Sequence, residues 1–191
     1  LGKTTDDLLQ LPKMTHPEKL ATMRILSSAM SAAFTGAPRL LPLLVFQQVK
    51  LSVKYGNMPL SAFAYAWYGT ILCGAFADIK NGYQFGQLAL AVVDRFQAKN
   101  LRCKTRFMVE TFVNPWSAHT KETIPALKTA YQQGIETGDL EYAAWSALLY
   151  AEHRYWIGQD FTTLEKTLAE YAEAIGATKQ TNASVYMSIY R

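Results

Sequence analysis

Apolar residues recur at steps of three and four along almost the whole chain, and no other feature restricts its fold so severely. Phe85, Leu88, Ala89, Val92 and Phe96 share one face of a helix, as do Phe161, Leu164, Leu168, Tyr171 and Ile175. The same spacing runs through Leu20, Met23, Leu26, Met30 and Phe34, and through Ile124, Leu127, Tyr131 and Ile135. No stretch alternates β-branched and polar residues between turn signals, so strands are not expected. The spacing predicts an all-α fold.

The interruptions are as regular as the helices. Thr15-His-Pro-Glu18 has the form of a capping box, in which Thr15 accepts from the backbone while Glu18 reaches back. Gly36-Ala-Pro38, Gly56-Asn57, Asn81-Gly82, Lys99-Asn100, Asn114-Pro115, Gly138-Asp139 and Gly158-Gln-Asp160 read as further breaks. They leave about eight helices of roughly 14–20 residues and the start of a ninth. Connections this short force consecutive helices to lie antiparallel as neighbours.

A repeat underlies this pattern. Laying Gly56 on Gly138 pairs Asn57 with Asp139, Ala62 with Ala144, Phe63 with Trp145, Tyr68 with Tyr150 and Asp78 with Asp160. The offset corresponds to two helical hairpins of about 41 residues each. Gly74 and Gly86 would let the third and fourth helices approach, with the spacing of the small-residue pair in tetratricopeptide repeats. The expected architecture is a right-handed stack of antiparallel helical hairpins, a tetratricopeptide-like alpha-alpha superhelix. Residues 1–15 form an N-terminal lead-in and 16–191 a single helical-repeat domain.

Half of the 191 residues are apolar and 18% are charged, as in ordinary folded domains. A chain of this length buries roughly 70% of its unfolded surface and needs no covalent staple. Cys73 and Cys103 accordingly read as small buried hydrophobes rather than a disulfide. Residues Tyr55 to Ala77 carry no charge, long enough to cross a bilayer. Their first five residues read as a turn, however, and the helical remainder is moderately apolar and aromatic-rich, which suits a helix buried by neighbours. The start at Leu1, without Met or an apolar leader, gives no signal peptide and points to a cytoplasmic protein. The end inside the helix-like run Asn182 to Arg191 suggests a piece of a longer chain. The apolar stripe of that run, Val185, Tyr186 and Ile189, must dock on the preceding hairpin, pair with a second molecule or fray.

Catalytic signatures are missing. No glycine-rich phosphate loop, Gly-x-Ser-x-Gly elbow, kinase catalytic loop or His-Glu-x-x-His occurs. His16, His119 and His153 lack metal-ligand spacing, so neither metal, cofactor nor catalytic residue is expected. Arg95, Lys99, Arg102 and Arg106 would form a basic stripe, but the break at Lys99-Asn100 splits it and no aromatics for base stacking intervene. It reads as a solvated face, not a nucleic-acid site. The seventh helix carries a more pointed arrangement. Glu141, Trp145, Leu148, Glu152 and Trp156 fall in one narrow sector, and an aromatic, acidic groove there would suit an Arg- or Lys-bearing protein segment. Covering of both indoles by adjacent helices is the structural alternative.

Four stretches carry a resemblance: Leu-Pro-Lys-Met-Thr-His-Pro-Glu-Lys-Leu (11–20), Leu-Ser-Val-Lys-Tyr-Gly-Asn-Met-Pro-Leu-Ser-Ala-Phe-Ala-Tyr (51–65), Gly-Tyr-Gln-Phe-Gly-Gln-Leu-Ala-Leu (82–90) and Thr-Gly-Asp-Leu-Glu-Tyr-Ala (137–143). They resemble the helical-repeat region of very large hybrid kinases common in cyanobacteria. Those proteins join a serine/threonine kinase, a signal-transduction ATPase, this helical region, a sensor domain and a histidine kinase. The resemblance implies a segment that is not itself an enzyme, whose parent phosphorylates proteins and binds ATP elsewhere. Two functions follow: an interaction or regulatory segment that relays or restrains signals between catalytic domains through protein or peptide contacts, or a helical domain with an interior small-molecule or enzymatic pocket. Neither reading requires nucleic acid or membrane insertion.

Overall fold

The structure is a computed structural model that describes residues 2–177 and 180–189. Leu1 and the last two residues, Tyr190 and Arg191, on which the reading of a longer parent draws, lie outside the described residues. All regular elements among the described residues are helices, and the one strand-like pairing is an isolated parallel bridge between Lys13 and Asn57. The chain divides into two compact units, 1–101 and 102–191.

In the first unit, α1 (Thr5–Leu9), α2 (Pro17–Ser28), α3 (Met30–Gly36), α4 (Leu41–Tyr55), α5 (Ser61–Phe76) and α6 (Ile79–Arg95) follow one another. The capping box expected at Thr15 is not formed, because His16 is the N-cap of α2 and offers no side-chain bond. One closes α1 instead. Asp7 N donates to Thr4 Oγ1 at 3.2 Å and Thr4 N donates to Asp7 Oδ2 at 2.9 Å. The lead-in is therefore partly helical, and Leu8 and Met14 are buried in the unit. The long first helix is divided at Ala29, where Ser28 Oγ donates back to Ile25 O at 2.9 Å, a bond that competes with helix geometry.

Two buried groups fix the lead-in. Asn57 Nδ2 donates to Leu8 O at 2.7 Å, and Asn57 Oδ1 accepts from the Tyr65 hydroxyl at 2.9 Å. The Asn57 backbone completes the clamp, donating to Pro12 O at 2.8 Å and accepting from Met14 N at 2.7 Å. Gly56 makes this approach possible. Its φ is +97°, and a Cβ there would lie 2.2 Å from Pro12 O.

Helices α5 and α6 form the closest hairpin of this unit. A Cβ on Gly69 would lie 2.7 Å from Gly82 O, and one on Gly82 would lie 2.3 Å from Cys73 Sγ. Gly82, read from the sequence as part of a turn, thus lies inside α6 at the crossing. The turn falls at Ala77-Asp78. Gly74, expected to be a packing glycine, faces open space. The charge-free run contributes α5, which is buried over most of its length. No helix among the described residues is long and apolar enough to cross a membrane.

Helix α7 (Lys99–Phe112) begins at the end of the first unit, after a break at Gln97, whose φ is +49°, rather than at Lys99-Asn100. The second unit continues through two short 3-10 turns at Asn114–Trp116 and Thr120–Glu122 to α8 (Ile124–Thr137), α9 (Leu140–Trp156), α10 (Phe161–Ala177) and α11 (Thr181–Ile189). Its core joins Ala144, Ala147, Leu148 and Ala151 of α9 to Leu164, Leu168 and Ile175 of α10 and to Ala183 and Met187 of α11. The final helix therefore docks through Ala183 and Met187, and leaves Val185, Tyr186 and Ile189 more than half exposed. Both cysteines are buried free thiols, and burial pushes the Cys103 thiol up to about 12.

Gly56 and Gly138, paired by the sequence repeat, are not conformationally equivalent. Gly56 has ψ 171°, whereas Gly138 has φ 76° and ψ 14°, the left-handed end of α8. The counterpart of Gly138-Asp139 is Ala77-Asp78, where Ala77 adopts φ 53°, ψ 24°. Each following aspartate then opens a helix from nearly the same backbone, ψ 71° at Asp78 and ψ 66° at Asp139. The turn whose backbone matches Gly138-Asp139 thus lies 61 residues earlier, not 82.

Candidate functional site

The sector singled out on the seventh expected helix lies on α9. Four of the seven buried residues of α9 are alanines, Ala143, Ala144, Ala147 and Ala151, each at most 2% exposed. Side chains this short let neighbouring helices come close, while Tyr155 and Trp156 at the end of α9 stay exposed. Gly134 on α8 has the same cause, since a Cβ there would lie 2.7 Å from Ala143 Cβ.

The four sector residues separate into two places. Trp145 is half-buried against the core, and its indole packs on the Tyr186 ring of α11 at 5.7 Å with an interplanar angle of 55°. Glu141, one turn before it, is exposed. At the other end, Trp156 is 66% exposed and donates through Nε1 to Glu152 Oε1 at 3.3 Å. Eleven residues of helix separate the two indoles by about 16 Å along the axis. Glu152 and Trp156 are brought together, whereas Glu141 and Trp145 belong to a second patch of the same helix.

Three residues outside the sector complete the Trp156 end. Tyr155 meets Trp156 edge-on at 5.4 Å and Phe161 at 6.1 Å. Phe161 is 72% exposed and Ile157 is 40% exposed. Helical spacing places Phe161 on a buried stripe. Asp160 instead caps α10, accepting from Thr163 N at 2.9 Å, so that Phe161 is the first helical residue and lies beyond the packed turns. That same N–H holds the Asp160 carboxyl below its ordinary range.

The neighbouring cation is occupied elsewhere. Arg154 donates through one terminal nitrogen to the Tyr150 hydroxyl at 3.0 Å and to Thr167 Oγ1 at 2.9 Å, and through Nε to Gln159 Oε1. Its guanidinium also lies 5.0 Å from the Tyr150 ring centre. Tyr150 and Tyr131 both pack edge-on against Tyr171, whose hydroxyl burial holds up at about 12. The exposed corner of Tyr155, Trp156, Ile157 and Phe161 therefore carries one acidic side chain, Glu152, in direct contact with its central ring. A ring face with a carboxylate beside it attracts a cation through both its quadrupole and its charge.

Other titratable groups are engaged within the fold. His153 is buried, with Nδ1 at 2.6 Å from Thr123 Oγ1, and burial lowers its pKa. Glu110 is buried and accepts from Asn114 Nδ2 at 2.7 Å, and burial raises its pKa. Arg95, the first residue of the basic stripe, donates to Leu9 O and to Leu11 O, the latter at 2.9 Å. No group of three or more His, Cys, Asp or Glu able to hold a metal ion occurs among the described residues.

The chain matches no protein-family model and no solved structure. It is similar to hybrid signal transduction histidine kinase G of Dictyostelium discoideum, with 24% identity over 156 residues. That stretch is 79% of this chain and spans about 4% of the kinase's length.

Proposed function

We propose that this chain is a non-catalytic interaction segment of a multidomain signal-transduction kinase, in which it relays or restrains signals between catalytic domains through protein contacts. Its hairpins would be repeat units of a right-handed, tetratricopeptide-like stack, and its working compartment the cytoplasm. The similarity to a hybrid histidine kinase of much greater length supports the signalling context. The observation that carries the binding role is the Trp156 corner. A two-thirds exposed indole, held by Glu152 and flanked by Tyr155 and Phe161, leaves a large apolar surface in water unless a partner covers it. An Arg- or Lys-bearing segment fits, each cation–ring contact contributing about 0.5–2 kcal/mol. Glu141 and Trp145 form a second patch of the same helix, where Trp145 packs on Tyr186 of α11.

The test is a titration of the chain with an arginine-bearing peptide, read by indole fluorescence and calorimetry. Trp156→Ala with Glu152→Gln should weaken binding at least tenfold, and Trp145→Ala with Glu152→Gln should weaken it as well. Unchanged affinity in the first variant would refute the groove. ATP should neither bind at micromolar affinity nor be hydrolysed, because the sequence has no loop to cradle phosphates.

A further inference from the structure

The first unit carries a face of the opposite chemistry. From Lys19 to Ala77 the sequence contains Lys19, Arg24, Arg39, Lys50 and Lys54 and not one Asp or Glu. Glu18 and Asp78 bound that stretch. Within it, Ile25 of α2, Phe34 of α3, and Leu40 and Leu43 at the start of α4 are all more than half exposed. Phe34 leans on Trp67 at 5.5 Å between ring centres, and Phe46 leans on Tyr68, the next residue of α5, at 5.9 Å. The rings are thus seated on a common floor instead of projecting freely.

Along α4 the exposed side chains change character in order. Leu40, Leu43 and Phe46 come first, at steps of three, and Lys50 and Lys54 follow at steps of four. The Lys54 ammonium lies 5.2 Å from the Tyr55 ring centre, and the Lys19 ammonium lies 5.6 Å from the same ring. Two like charges at one ring repel each other, and an anion placed between them relieves that repulsion.

We infer that the α2–α4 face of the first unit is a docking surface for an amphipathic helix whose apolar turns are followed by Asp or Glu. The inference rests on the interaction role proposed above and names the chemistry of a second partner. Charge complementarity selects an acidic partner. The axial order selects a helix, since the 15 residues of α4 present apolar turns and then cations along about 22 Å of one axis. A partner helix laid alongside matches both in register, as in other helix-in-groove complexes. A helix lying on a lipid surface instead carries its cations along its whole polar face, flanking the apolar one.

The experiment is a display selection of 20-residue helical peptides of random surface composition against the full chain. The enriched set should carry apolar residues at three- and four-residue steps and a net negative charge. Leu43→Asp, at an exposed position, should leave the melting temperature unchanged and lower the affinity of selected peptides at least tenfold. Lys50→Glu with Lys54→Glu should do the same and should shift a repeated selection toward basic peptides. The inference is overturned by absence of enrichment, by enrichment without acidic bias, or by binding that survives both variants. It is overturned in favour of lipid if the chain sediments with phosphatidylserine vesicles and Leu43→Asp abolishes this. Self-association lost in Leu43→Asp would overturn it in favour of a second copy. The arginine-bearing peptide is titrated into the same preparations. If it still binds at Trp156, only the acidic-helix inference has failed; if neither probe binds, the interaction role fails with it.

Discussion

The α5–α6 hairpin of the first unit and the α8–α9 hairpin of the second solve one packing problem with reversed residues. In the first, Cys73 stands over Gly82; in the second, Gly134 stands under Ala143. The positions correspond at the 61-residue offset that also aligns Ala77 with Gly138. Close approach of two helices needs one small partner at the crossing, and it does not matter which helix supplies it. The two units therefore share a hairpin geometry without sharing its glycines, which is why matching glycine to glycine leads to the wrong register.

The largest effect should separate the two glycines that the sequence pairs. Gly56→Ala places a Cβ on the Pro12 carbonyl at a left-handed φ, and should cost roughly 3–5 kcal/mol and loosen residues 4–14. Denaturant unfolding measures the first, and hydrogen exchange at Leu8 and Met14 the second. Gly138→Ala meets open space and bears only the left-handed penalty, about 1 kcal/mol. Equal losses would restore the pairing of these two turns.

Next come the crossings. Gly82→Ala should cost roughly 2–3 kcal/mol, and Cys73→Ala should not rescue it, because Gly69 O at 2.9 Å also blocks the new methyl. Gly134→Ala should cost less, about 1–2 kcal/mol, and Ala143→Gly should recover part of it, since the nearest obstacle is the Ala143 methyl itself. A smaller effect of opposite sign tests the turns. Ala77→Gly should stabilise the chain by about 0.5–1 kcal/mol by relieving a left-handed alanine. No gain in melting temperature would mean that Ala77 is not strained.

How far this was legible in the sequence follows from the same comparison. Helical period is a property of side-chain polarity along one segment, so the helices around Leu88, Leu127 and Leu164 could be read directly. A crossing glycine and a turn glycine look alike in a sequence, so spacing alone marks Asn81-Gly82 as a break and Gly74 as a contact. The sector of Trp145 and Trp156 was visible from helical spacing. The exposure of Trp156 and of Phe161 was not, because both lie at helix ends, where the period continues but the neighbouring helix does not. The clamp on residues 4–14 depends on Asn57 and Arg95, each far in sequence from the carbonyls it binds.

A pH series probes the second unit through a weaker effect. Burial keeps the pKa of His153 in the folded second unit below its ordinary 6.5. Between those two values the unfolded chain binds the extra proton, so the stability from neutral His153 is fully present above pH 6.5 and is lost as pH falls below it. Glu110, with a raised pKa, acts in the other direction, its contribution falling as pH rises above 4.5. His153→Gln should therefore flatten the acid side of the stability profile. An unchanged profile would show that His153 is solvated.

The central claim is that each unit carries its own recognition face, apolar and basic on α4, aromatic and acidic on α9. One crossed binding measurement tests it most directly. Calorimetric affinities for a selected acidic amphipathic peptide and for an arginine-bearing peptide are compared in wild type, Leu43→Asp and Trp156→Ala. The account predicts that Leu43→Asp loses only the acidic peptide and Trp156→Ala only the basic one, each by at least tenfold. Loss of both peptides in either variant, or of neither, would contradict it.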